Sequence, residues 1–265
     1  MAWIPRGLRD GIVTTRYPRQ HDGYGVRFRG AVGVGAEHCG ASEFEAVVQS
    51  CPTSAISSRN GRVCLDRGCC ILCGRCTYLC ERVFQFGSTF ETSAVRRNHL
   101  VVPQLDEDED AVELARMELS TRVKLLRRSV FIRHVDAGSD GSEEWEVAAL
   151  QNPIYDVQRL GIFFTASPKH ADVLLVTGAG ASGMIAPLRE TFDVMPKPKV
   201  VVAVGVDAIS GGLHGKGYST HGGVTDIVPV DVLVPGSPPS PFGILHGIIL
   251  AVGLLVPSVQ GSKPR

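Results

Sequence analysis

Cysteine is absent from residues 81–265, and the eight that the chain has all fall between Cys39 and Cys80. Such clustering argues against a disulfide framework and suits a metal site in a reducing compartment. Net charge is also lacking: 27 Lys and Arg balance 27 Asp and Glu over 265 residues, so nothing points to a nucleic-acid partner. Long apolar runs are scarce. The most apolar stretch, 242–256, is interrupted by His246 and several glycines. It falls short of the roughly 18 apolar residues of a membrane span and reads as a buried helix. The opening Met1-Ala-Trp-Ile-Pro-Arg-Gly7 lacks the apolar core of a secretory signal. These absences lead to the expectation of a chain with no membrane span of its own.

What is present is a thiol run. Cys70, Cys73 and Cys76 are spaced by two residues, and Cys80 comes after three more. This is the bacterial ferredoxin spacing for a [4Fe–4S] cluster, in which short loops bring three thiolates to three corners of one cube. Zinc sites use Cys-x-x-Cys as two separated pairs instead. A second such run would be needed upstream for a second cluster. There, Cys39 and Cys51-Pro52 are present but the two middle cysteines are missing. In paired runs the fourth cysteine of each serves the other cluster. One complete set is therefore expected, with Cys51, Cys70, Cys73 and Cys76 as ligands of one [4Fe–4S] cluster. Cys80 is the alternative fourth ligand if ligation is not crossed. Cys39 and Cys80 are otherwise left over, two thiols for a site that needs four. Cys64 and Cys69 have no place in the motif and read as small buried apolar residues.

The length favours two domains. Residues 1–103 form the cysteine-rich part, small enough that a cluster would also staple its core. Asp106-Glu-Asp-Glu-Asp110 reads as a solvated linker into a helix N-terminus, and Val112, Ala115, Leu119, Val123 and Leu126 recur at helical spacing up to Arg127 and Arg128. Strand-like runs then alternate with helical segments: Val130–His134, Gly161–Phe164, Val173–Val176, Val200–Val204 and Ile227–Val234. Runs of β-branched residues separated by crossovers predict a parallel sheet covered on both faces over 104–265. Pro235-Gly-Ser-Pro-Pro-Ser-Pro241 predicts a rigid loop, and Pro257–Arg265 a frayed tail.

Within that second part, Val173–Thr177 leads into Gly178-Ala-Gly180-Ala-Ser-Gly183 and a helical segment. The pattern matches a dinucleotide fingerprint in its strand-then-helix context, with Asp207 available for a ribose. A glycine-rich loop needed only for close packing has the same appearance.

Residues 7–95 resemble the ferredoxin-like subunit of formate hydrogenlyase and complex I, through Ile12-Val-Thr-Thr-Arg-Tyr-Pro18, Phe28-Arg-Gly30 and the cysteine run. Residues 115–256 resemble the small subunit of group 4 nickel–iron hydrogenases, the complex I 20 kDa subunit family. Ser167–Gly178 and Asp226–Gly236 carry that likeness. The resemblance implies a fusion of two subunits: an α+β ferredoxin-like domain and then a flavodoxin-like α/β domain. It accounts for Gly178 without a nucleotide. It also implies a proximal [4Fe–4S] cluster, but the corresponding segments read Ala137 to Glu143, Gly205-Val-Asp207 and Pro235-Gly-Ser237, with no thiol. Asp140, Asp207 and Ser237 offer only oxygen, which suits a hard cation rather than a cluster. The sequence leaves open whether Asp140, Glu143 and Asp207 converge on a metal.

Together these readings predict an electron-transfer subunit of a membrane-associated hydrogenase-like or complex I-like oxidoreductase, non-catalytic itself, with the proximal cluster lost. Implied partners are a large subunit and membrane-arm subunits, at the cytoplasmic face of the cell membrane. Two alternatives stand beside it: a structural scaffold between those partners, and a nucleotide-binding oxidoreductase using Gly178, Gly180 and Gly183.

Overall fold

The computed structural model describes residues 3–20, 24–25, 28–59, 61–104, 109–124 and 129–253. The Asp106–Glu107–Asp108 part of the acidic run, Leu126 with Arg127 and Arg128, and the tail from Pro257 lie outside these residues.

The first part opens with helix α1 (Trp3–Asp10) and then repeats one pattern twice. Strand β1 (Val32–Val34), helix α2 (Ala41–Ser50) and strand β2 (Ile56–Arg59) precede β3 (Arg62–Asp66), α3 (Arg75–Leu79) and β4 (Phe84–Phe86). β1 pairs antiparallel with β4, and β2 with β3, whose other edge takes the short β5 (Val101–Val102). Val32, Val47, Ile56, Leu65, Val83 and Phe84 close a small core that also contains Cys76 and Cys80. So few apolar residues leave little margin for a domain of this size.

The second part begins with α4 (Glu109–Arg122) and builds a five-stranded sheet. Its strands are β6 (Val130–Asp136), β7 (Ile162–Phe164), β8 (Val173–Thr177), β9 (Val200–Val204) and β10 (Val232–Val234). They lie in the order β10-β9-β8-β6-β7, all parallel. Counted within this sheet the order is 2-1-3-4-5, the flavodoxin-like doubly wound arrangement. α5 (Ser142–Ala149), α6 (Ile185–Val194), α7 (Val206–Ser210) and α8 (Pro241–Ala251) come after β6, β8, β9 and β10. The unbroken β-branched runs are explained by burial on both faces. Val173, Leu175, Val200 and Val202 face α8, whereas Leu174, Val176, Val201 and Ala203 face α6 and α7.

Two expectations change. The run from Ile227 supplies only Val232–Val234 as strand, because Pro229 has no N–H for the ladder and 225–227 are turn. The Pro-rich loop also stops one residue early. Pro241 opens α8 at its first position, where its missing N–H costs nothing, and Ser240 Oγ accepts from Gly243 N at 3.4 Å.

The two parts pack closely. Ala94 pairs with Leu233 across the β10 edge through two hydrogen bonds of 2.8 and 2.9 Å. Tyr17 and Phe90 join the sheet's own core, with Phe90 stacked on Phe242 at 5.0 Å.

Candidate metal centre

The loop entering α3 is wound tightly. Leu72 and Gly74 have φ of +56° and +75°, and a Cβ on Gly74 would press on the Phe86 ring at 3.2 Å. This winding gathers the thiols of the run, with Cys76 buried, Cys70 partly buried and Cys73 exposed. Cys70, Cys73 and Cys76 line one cavity, and Cys51, at the C-cap of α2, lines it too. Val32, Ala55, Ile56 and Leu65 supply an apolar floor. Cys80 is not among the lining residues.

Soft donors of this kind fit an iron–sulfur cluster or another thiophilic metal. The surrounding backbone fits it as well. Ala55 N–H donates to Cys51 Sγ at 3.3 Å, and backbone N–H groups of Leu72 and Thr77 point at Cys70 and Cys76. Such bonds stabilise thiolate charge. Without a metal, burial pushes the Cys70 thiol up to about 12 and Cys76 up to about 11, with the neighbouring thiols adding to both. A metal must therefore displace protons on entry.

The remaining cysteines sort into different surroundings. Cys64 is wholly buried on β3. Cys69 is not the apolar residue expected from sequence. It is half-buried in a polar network, accepting from Arg97 Nη2 at 3.3 Å, while Arg97 holds both oxygens of Asp66 at 2.6 Å. Cys39 and Cys80 lie 3.3 Å apart at their sulfurs, with Glu43 beside them. Nothing in the thiol spacing singles out Glu43; its place four residues after Cys39, in the first turn of α2, is the signal that could have found it.

The three loops that lack thiols do converge. Gly205 has φ of +91° and a Cβ there would lie 2.6 Å from Glu143 Oε1, while Val206 N donates to Gly236 O at 2.9 Å. Their polar groups are largely committed locally. Asp140 Oδ1 accepts from Ser142 N at 2.9 Å and Oγ at 2.6 Å, and Glu144 accepts from Thr177 and from Ser139 Oγ. Glu143 is 1% exposed and its Oε1 has no partner. Burial, with Asp207 and Asp140 nearby, raises its carboxyl from 4.5 to about 7. Among the described residues, Asp140, Glu143 and Asp207 do not bring three ligand atoms close enough for one ion.

The glycine fingerprint is filled by the chain itself. A Cβ on Gly178 would lie 2.6 Å from Gly138 C, and one on Gly180 2.4 Å from Gly223 O, whereas Gly183 faces nothing within 4 Å. Close backbone approach thus accounts for Gly178 and Gly180 without a nucleotide, while nothing packs against Gly183.

Between the two parts lies a further cavity of about 230 Å³, bounded by Cys70, Leu72 and Arg67 on one side and by Pro235, Gly236 and Pro238 on the other. Cys70 thus borders both this space and the four-thiol cavity.

The family described as NADH ubiquinone oxidoreductase, 20 Kd subunit, matches residues 141–251. Formate hydrogenlyase subunit 7 of Escherichia coli (strain K12) is 38% identical over 142 residues, which are 54% of this chain and 56% of that protein. A probable membrane-bound hydrogenase subunit, mbhJ, of Pyrococcus furiosus is 37% identical over 141 residues, 53% of this chain and 84% of that protein. A chain in the structure of the membrane-bound sulfane sulfur reductase, an archaeal respiratory membrane complex, is 28% identical, with 49% of this chain and 75% of that one covered and a TM-score of 0.43.

Proposed function

Because this chain belongs to the family of the 20 kDa subunit of NADH ubiquinone oxidoreductase, which includes hydrogenase small subunits, we propose that it is an electron-transfer subunit of a membrane-associated hydrogenase-like or complex I-like oxidoreductase. Residues 1–103 form its ferredoxin-like, electron-carrying part and 104–265 its subunit-binding part. The observation that carries this reading is the convergence of Cys51, Cys70, Cys73 and Cys76 on one cavity. The twofold β-α-β repeat of the first part supports it, since each unit brings one set of thiols.

Those four thiols would hold one [4Fe–4S] cluster, which supplies one-electron transfer when bound. The chain's own residues do the rest. Ala55, Leu72 and Thr77 N–H groups favour the thiolate forms, and the apolar floor backs the buried Cys76 and partly buried Cys70, while Cys73 is on the solvent side. Cys70 stands at the wall toward the second part, so it marks the side from which charge would leave. At the three convergent loops the family's proximal cluster is taken to be lost, since soft thiolates are replaced by Asp, Ser and Ala. The second part then binds a large subunit and the membrane arm. Among the described residues no helix is long and apolar enough to cross a membrane, so attachment would come through partner subunits.

The test is anaerobic purification with an iron count. About four irons per chain are expected, one cube's worth. Cys51→Ser and Cys73→Ser should each remove most of the brown colour, while Cys80→Ser should leave it. Stoichiometric zinc without sulfide at the four-thiol site, or a colourless Cys80→Ser with coloured Cys51→Ser, would overturn the assignment.

A further inference from the structure

The leftover thiols form a site of their own. Cys39 sits in the loop before α2, Glu43 in the first turn of α2, and Cys80 closes α3. Their ligand atoms all lie within 4.8 Å of one another, and the two sulfurs are 3.3 Å apart. Cys80 is buried, and Glu43 hydrogen-bonds with it while accepting from Arg82 Nη2 at 2.7 Å and from Gly40 N at 3.4 Å. We propose that Cys39, Cys80 and Glu43 hold one divalent ion of zinc type, at a mononuclear site separate from the four-thiol cavity, with water as the fourth ligand.

Donor chemistry selects the ion. Two thiolates disfavour the hard cations, and they are only half the thiolate set of an iron–sulfur cube. Zinc accepts thiolate and carboxylate together in a tetrahedron. With bonds of about 2.3 Å its two sulfurs would stand about 3.8 Å apart, a half-ångström opening from the observed pair. Charge also balances. A dication with two thiolates and one carboxylate is singly negative, and the Arg82 guanidinium already on Glu43 neutralises it. Both thiol protons leave to solvent on binding. The mechanical consequence concerns α3. Five residues do not sustain a helix alone; an ion on Cys80 would tie its end to the start of α2 and so fix Cys76 in the four-thiol cavity.

The test is cobalt(II) titration of the reduced full chain under argon, monitored by thiolate-to-cobalt absorption. Wild type is expected to take up one equivalent more than Cys39→Ser, whether the four-thiol site holds a cluster or a cobalt ion. The difference is therefore independent of the cluster assignment. Glu43→Gln, at a partly exposed position, should weaken this equivalent at least tenfold and keeps the test open if Cys39→Ser misfolds. X-ray absorption on the extra equivalent should show two sulfur and two oxygen ligands. Equal uptake by wild type, Cys39→Ser and Glu43→Gln would overturn the site. So would a Cys39–Cys80 disulfide that, once reduced, still takes up no metal there.

Discussion

Glu143 is where a single residue's chemistry is most exposed to experiment. Its carboxyl is buried beside Gly205, one oxygen has no partner, and its protonation midpoint rises from 4.5 to about 7 through burial first and Asp207 and Asp140 second. Between these two values the folded chain keeps a proton that the unfolded chain has released. Stability from this group is therefore full below about 4.5 and is lost as pH rises to about 7. The loss amounts to roughly 2–4 kcal/mol. Glu143→Gln cannot lose it. Urea unfolding of both proteins should show the variant gaining on wild type from pH 4.5 to 7.5; a gap that does not change with pH would mean that Glu143 is ionised in the fold. Where the family resemblance would place thiols, the loops carry this buried acid instead.

At the scale of elements, the unit β8–glycine loop–α6 separates two uses of the same motif. Gly180 has φ of +72° and backs onto Gly223 O, whereas Gly183 is open on the Cβ side. Gly180→Ala should cost about 3 kcal/mol or more, from left-handed strain plus a backbone clash. Gly183→Ala, in the short helical turn Ser182–Met184 with no positive φ, should be neutral or stabilise by about 0.5–1 kcal/mol through the unfolded chain. Thermal unfolding of the two variants checks this. A large loss at Gly183 would reopen the dinucleotide reading, in which the third glycine is required for close packing.

The whole molecule is held together by apolar contacts that cross the 103/104 division. Phe242 of α8 stacks on Phe90 and meets Tyr17 and Tyr24 edge-on, at centroid distances from 5.0 to 5.8 Å. Thr15 N and Arg159 reach across as well, to Ile154 O at 2.8 Å and Tyr17 O at 2.5 Å. Phe242→Ala should cost about 3–5 kcal/mol. Hydrogen exchange should then rise both along α8 and around residues 14–17 and 90–94. A rise confined to α8, with two separable melting transitions in the wild type, would mean that the two parts are independent domains.

Sequence alone determined the clustering of the thiol run and the parallel sheet. The two-residue spacing left Cys70, Cys73 and Cys76 no freedom but to sit close together where the loop enters α3, and the apolar runs at Val173 and Val200 suit a two-sided burial. It also carried the family likeness, which the family match bears out over 141–251, because Asp226–Gly236 and Ser167–Gly178 are stretches whose shape is written in contiguous residues. Tertiary structure decided what depends on residues far apart in the chain. That Cys39 meets Cys80 across 41 positions, with Glu43 between them, comes from α2 and α3 packing side by side. That Gly180 serves packing comes from Gly223 arriving against it. That Cys69 belongs to Asp66 and Arg97 comes from Arg97 returning to the end of β3 within the first part, and that Ala94 closes the β10 edge comes from how the two parts dock. Short-range spacing fixes which atoms can share one loop; only the docking of elements fixes which atoms from different loops meet.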